Sequence, residues 1–156
     1  MEIAQIQRSI SMCKDFLEKT NTKGTEIEDY LTKYLLVHIC GCYENEIKNI
    51  AMKRASQAND KEVEEFVKNS IKKLRSFRIS DITGNILGNF SDKYKAHFNS
   101  LIKGTEMETR FSNLVENRHL FAHGKDINMT FDELVVSYNQ SHEILDKIIE
   151  SLTIQS

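Results

Sequence analysis

The sequence predicts an all-α fold, an up-and-down bundle of five to six helices. Three observations carry that prediction. The chain of 156 residues contains no proline and only six glycines, so it has few obligatory breaks, which favours long helices over a turn-rich β-sandwich. Apolar residues recur at intervals of three and four along most of the chain, the period of a helix with one buried face. Residues suited to capping, Asp60, Ser91, Thr105 and Thr130, stand just ahead of the later periodic stretches, where they can accept hydrogen bonds from exposed helix N–H groups. The length fits one domain over residues 1–156, able to bury roughly two thirds of its unfolded surface without metal or disulfide.

Each element follows from its residues. Ile3, Ile6, Ile10, Cys13 and Leu17 form one apolar helix face, and 20–24, with Gly24, breaks it. A longer helix is expected from about Thr25 to Ala58, opened by Glu26, Glu28 and Asp29 at the positive end of its dipole. Its stripe includes Leu31, Tyr34/Leu35, His38, Cys42, Ile47, Ile50/Ala51 and Arg54. Asn59-Asp60 caps a third helix with Val63, Phe66/Val67, Ile71 and Leu74 inward. Residues 79–90, with Gly84 and Gly88, form a short helix or loop without the spacing of a phosphate-binding glycine loop. Ser91 caps a helix from Asp92 to Lys103. Thr105 caps the next, from Glu106 to about Ala122, with Gly124 as its stop. Thr130 and Glu133 have the form of a capping box opening the final helix, which continues through Ile148/Ile149.

No stretch approaches the ~20 apolar residues of a membrane span, and the N-terminal apolar residues are spaced rather than contiguous. An odd set of three cysteines, Cys13, Cys40 and Cys42, points to reduced thiols in the cytoplasm. No cofactor is implied. His38, Cys40 and Cys42 lack a second pair at zinc-site spacing and are expected in the core. His97 and His142 are expected to be structural or surface residues, and Glu106, Glu108 and Glu116 helix-start or solvated charges.

The helix before Gly124 carries the chemistry. Met107, Phe111, Leu114, Arg118 and Phe121 fall on one face, so Arg118 sits where an apolar residue is expected. Such an arginine is costly unless it is paired, lines a cleft or meets a second subunit. His123 lies ~140° around an ideal helix from Arg118. Either a left-handed cap at Gly124 swings His123 back towards Arg118, or the two residues meet their equivalents from a second copy across a two-fold axis. Histidine can exchange a proton with a ribose 2′-OH or a leaving oxygen near neutral pH. Arginine can bind two phosphate oxygens of a pentavalent transition state. That chemistry needs no metal, and it needs RNA.

Charge is segregated. The net charge of −2 conceals eight basic and two acidic residues between Lys68 and Lys103, a surplus of +6, against −8 elsewhere. Lys72, Lys73, Arg75 and Arg78 are the expected RNA-backbone contacts, with Lys125 just beyond the helix as a further one. For any single lysine, the plain alternative is a solvated helix face.

The string Asn117-Arg118-His119-Leu120-Phe121-Ala122-His123-Gly124 resembles the R-x4-6-H motif of HEPN domains, here as R-x4-H. The placement fits as well, on a late helix followed by a short loop and a final amphipathic helix, and the preceding helix, Phe90-Ser-Asp-Lys-Tyr94 to Leu101, looks like the RiboL-PSP and related stand-alone branches. The resemblance implies an all-α homodimer with a composite Arg/His cleft and metal-independent endoribonuclease activity, often in toxin–antitoxin or antiphage systems, with an antitoxin or defence protein as partner. It implies catalytic roles for Arg118 and His123, with His119 in the supporting polar position. Some members are non-catalytic and bind a partner protein or RNA, which is the alternative reading. One toxin subgroup has a tyrosine two residues after the histidine, a target for an inactivating antitoxin. Lys125 stands there instead, so that mode of control is not expected.

Overall fold

In a computed structural model of the chain, which describes residues 2–154, the secondary structure is all helical, with no strand among those residues. The helices are α1 (Glu2–Thr20), α2 (Glu26–Ser56), α3 (Lys61–Lys72), the short α4 (Ile79–Asp81) and α5 (Gly88–Phe90), α6 (Asp92–Ile102), α7 (Glu106–Ala122), α8 (Phe131–Ser141) and α9 (Ile144–Thr153), with a π-helical turn at Ile82–Leu87 between α4 and α5. Seven of them have ten residues or more, one above the upper expectation. The expected last helix is divided at His142 and Glu143. Both residues keep right-handed dihedrals, so the division is a lapse in the hydrogen-bond ladder rather than a loop.

The capping chemistry acts as its residue types dictate. Thr25, Asp60, Ser91, Thr105 and Thr130 each accept a hydrogen bond from a backbone N–H in the first turn of the helix that follows. Thr130 and Glu133 form a complete capping box, the Glu133 carboxylate accepting the Thr130 N–H at 2.8 Å.

The segment left open between helix and loop, 79–90, is helical throughout. Its π turn brings the Gly88 N–H to the Thr83 carbonyl. A Cβ at Gly88 would stand 2.9 Å from that oxygen, so the turn requires glycine there. The third helix ends at Lys72, two residues short of Leu74, which packs against the core from the following segment.

Helix α2 is the axis of the fold. It touches α1, α3, α7, α8 and α9, which is why Leu35, Leu36, Ile39, Cys40, Tyr43, Ile47 and Ala51 are all buried instead of one narrow stripe. Tyr43 stacks on Phe111 of α7 at 5.5 Å and on Tyr138 of α8 at 6.4 Å between ring centroids. Its hydroxyl shares a hydrogen bond of 3.0 Å with Ser141, which satisfies a polar group that would otherwise be buried alone. The aromatic stack and this bond fix α2 against the α7–α8 pair.

Several residues assigned inward by periodicity are exposed: Tyr34, Val63, Phe66, Phe121 and Ile149. The three cysteines are buried and form no disulfide. His38 is half-buried and stacks on Tyr34 with ring planes 4° apart. No helix among the described residues is long and apolar enough to cross a membrane.

Candidate functional site

Helix α7 presents its inward face through Phe111, Leu114 and Asn117. The buried position after Leu114 is therefore Asn117 rather than Arg118, a correction with a simple cause. From Leu114, steps of three and four residues fall on either side of the inward direction, and packing admits the smaller side chain. Asn117 is satisfied by donating to the Asn113 carbonyl at 2.9 Å and accepting the Asn128 N–H at 2.8 Å. Arg118 is turned to the edge of the interface with α2 and is half-exposed.

There it meets a residue that sequence reasoning missed. Arg118 Nη2 lies 3.6 Å from Glu44 Oε1 on α2. Glu44 is adjacent to the buried, stacked Tyr43 and one turn beyond Cys40, whose thiol donates to the Leu114 carbonyl at 3.6 Å. That spacing along α2 places Glu44 on the face towards α7. Its partner could not be read from the sequence. Burial pushes the Cys40 thiol up to about 12, with Arg118 lowering it and Glu44 raising it by smaller amounts.

A third segment closes the site. Between α3 and α4 the chain is anchored by buried Phe77, over whose ring Lys48 Nζ sits at 5.3 Å. The Asp81 carboxylate orders this segment, accepting from the Ser76 hydroxyl, the Arg78 N–H and the Asn85 amide. Arg78 then reaches across to α7 and pairs with Glu116 at 3.2 Å. Arg78, Arg118, His119, Glu44 and Ser76 line one cleft, with Cys40, Tyr43, Phe111 and Val115 beneath. Its inner volume is about 20 Å³, enough for one water and not for a nucleotide.

The structure thus brings Arg78, Arg118 and His119 together. His123 is placed differently. Helix α7 ends in a Schellman arrangement, with Gly124 N–H on Phe121 O and Lys125 N–H on Leu120 O, and Gly124 has φ +69°. This cap does not swing His123 back to Arg118. The His123 ring packs edge-on against His119 with centroids 4.4 Å apart, exposed at the helix end, while Arg118 faces Glu44. Lys125 is exposed just beyond. Lys72, Lys73 and Arg75 are exposed on the end of α3 and the segment after it, outside the lining of the cleft. Among the described residues, no three His, Cys, Asp or Glu side chains are grouped as a metal site would require.

Around the helix end lies an apolar surface. Tyr30, Tyr34, Val37, His38 and Phe121 line an open depression beside Lys33, and four of these are large exposed hydrophobics.

The chain is a HEPN-type domain, shown by a family model that covers nearly all of it. More narrowly, the chain belongs to the RiboL-PSP-HEPN family, whose model matches residues 1–153. No curated protein and no solved structure matches it.

Proposed function

We propose that the protein is a metal-independent endoribonuclease that acts as a homodimer in a toxin–antitoxin or antiphage defence system. HEPN domains are commonly ribonucleases, and the reading takes residues 1–156 as one such domain working in the cytoplasm. The observation that carries it is the placement of Arg118, half-exposed at the lip of a cleft it shares with His119 and Arg78, on the helix whose exposed end bears His123. In this reading Arg118 binds the scissile phosphate and stabilises its additional negative charge. His123 takes the proton of the 2′-OH or returns one to the leaving oxygen, with His119 holding its ring. Arg78, Lys125 and the exposed Lys72, Lys73 and Arg75 bind flanking phosphates.

The dimer enters because one chain is not enough. Arg118 and His123 face different directions, and the cleft of a single chain is too small for a nucleotide. The exposed Tyr30, Tyr34, Val37 and Phe121 surface, next to His123, is the face we assign to the second copy.

The test is cleavage of a labelled single-stranded RNA by wild type, His123→Ala and Arg118→Ala, each with and without a chelator. Loss in both variants and retention in the chelator are expected. Cleavage by both variants, or its loss in the chelator, overturns the reading. One observation favours a second reading, a non-catalytic module that binds RNA or a partner protein: His123 is turned away from Arg118 within the chain. Purified protein that binds RNA without shortening it would establish that alternative.

A further inference from the structure

The residue facing Arg118 has no part in the scheme above, and its position is fixed by the core rather than by chance. Glu44 is carried on the most enclosed helix of the fold. Its neighbour Tyr43 is stacked between Phe111 and Tyr138, and Cys40, one turn earlier, is tied to the Leu114 carbonyl. The backbone that carries Glu44 therefore cannot move away from α7 without disturbing that packing. Its side chain is one quarter exposed and that of Arg118 is 37% exposed, so their attraction is only partly screened.

The contact is a particular kind of ion pair. At 3.6 Å between Nη2 and Oε1 it is longer than a good hydrogen bond, and it engages one terminal nitrogen of the guanidinium. The remaining N–H groups, out of five, stay available to an incoming phosphate. The other arginine of the cleft, Arg78, has its own carboxylate in Glu116. Each cation at the lip is thus balanced by one anion supplied from another segment.

We propose that Glu44 is a positioning residue for Arg118, holding the guanidinium at the cleft before RNA arrives while its charge opposes the RNA phosphate. This rests on the reading of Arg118 as the phosphate clamp. The two effects have opposite signs in kinetics. Orientation before binding favours the transition state, whereas a carboxylate beside the phosphate weakens ground-state binding. Removing the charge while keeping the shape should therefore separate them.

The experiment uses Glu44→Gln and Glu44→Asp in the full chain, with melting temperatures recorded for each. In a His123→Ala background, binding of a fluorescein-labelled single-stranded oligoribonucleotide is followed by anisotropy at low and moderate salt. Glu44→Gln should bind about threefold more tightly at low salt, an effect reduced as salt rises, and Glu44→Asp should bind as the parent does. In the background with His123 intact, Glu44→Gln should lower KM and kcat together. Unchanged binding and kinetics in Glu44→Gln overturn the proposal and leave the nuclease reading standing. A raised KM, or a fall in kcat that follows a fall in melting temperature alone, also overturns it, because a structural role suffices. RNA binding by none of the proteins overturns both readings.

Discussion

The Asn117 side chain accepts the backbone N–H of Asn128 at 2.8 Å, so the buried amide near the end of α7 holds the loop that leads into α8. The same side chain donates back to the Asn113 carbonyl. One residue therefore ties together the helix that carries Arg118 and the segment that leaves His123. Replacing it by alanine leaves the Asn128 N–H without its acceptor. Asn128 is exposed, so water can take the acceptor's place and the expected cost is about 0.5–1.5 kcal/mol, read from urea unfolding, with faster hydrogen exchange at the Asn128 amide. Exchange unchanged from wild type would show that the bond does not order the loop.

Gly124 is left-handed, with open space where a side chain would go. The cost of Gly124→Ala is therefore backbone strain alone, about 1 kcal/mol. Gly124→Asn should lose less, because asparagine tolerates this conformation. Thermal melting of the two variants checks the order. Equal losses would mean that the cap relaxes without the left-handed residue.

Glu133 gives a pH signature. Its carboxyl is held below the ordinary value mainly by the Thr130 N–H, with the Thr130 side chain adding to the effect. A lowered folded-state value contributes stability that is complete above the unfolded value near 4.5 and is lost as pH falls through the lower folded one. Glu133→Gln should thus differ most from wild type at neutral pH and converge with it in acid. Denaturant unfolding at pH 7 and pH 3 tests this. A difference that grows in acid would contradict the assigned partner.

Cys40 should be inert while the protein is folded. Burial raises its thiol to about 12, and the thiolate is the reactive form. Iodoacetamide at pH 8 should leave Cys40 unmodified in native protein and alkylate it after unfolding, as followed by peptide mass spectrometry. Rapid native labelling would mean that α2 and α7 separate readily.

The proposed second copy can be tested at Tyr34 and Phe121, which are 55% and 38% exposed. Placing aspartate at either should cost little in a monomer and much across an apolar contact. Light scattering should show a shift from dimer to monomer, with loss of RNA cleavage and an unchanged circular dichroism spectrum. A monomeric wild type would remove this face from the reading.

Helix starts were legible because their chemistry is local. Asp60, Ser91, Thr105 and Thr130 each meet an N–H two or three residues away, a distance the sequence itself displays. The π turn and the lapse at His142–Glu143 were not, since neither proline nor glycine marks the second and only the tertiary fit of 79–90 decides the first. At the site, the residue types at 118, 119 and 123 could be read, but their directions could not. Asn117 and Arg118 are adjacent on the helix, and only packing against α2 decides which turns inward. Glu44 was hidden for a related reason: its partner is 74 positions away, and its own helix is buried on more than one side.

The way the helices stop has a consequence for the speed of folding. Asn21, Asn59, Gly104 and Gly124 supply the left-handed residues after α1, α2, α6 and α7, and no proline takes part anywhere. Every peptide bond of the unfolded chain then strongly prefers the trans form it needs. Refolding from denaturant should lack the phase of tens of seconds that prolyl isomerisation imposes. Newly made chains would gain their shape without waiting for a prolyl isomerase.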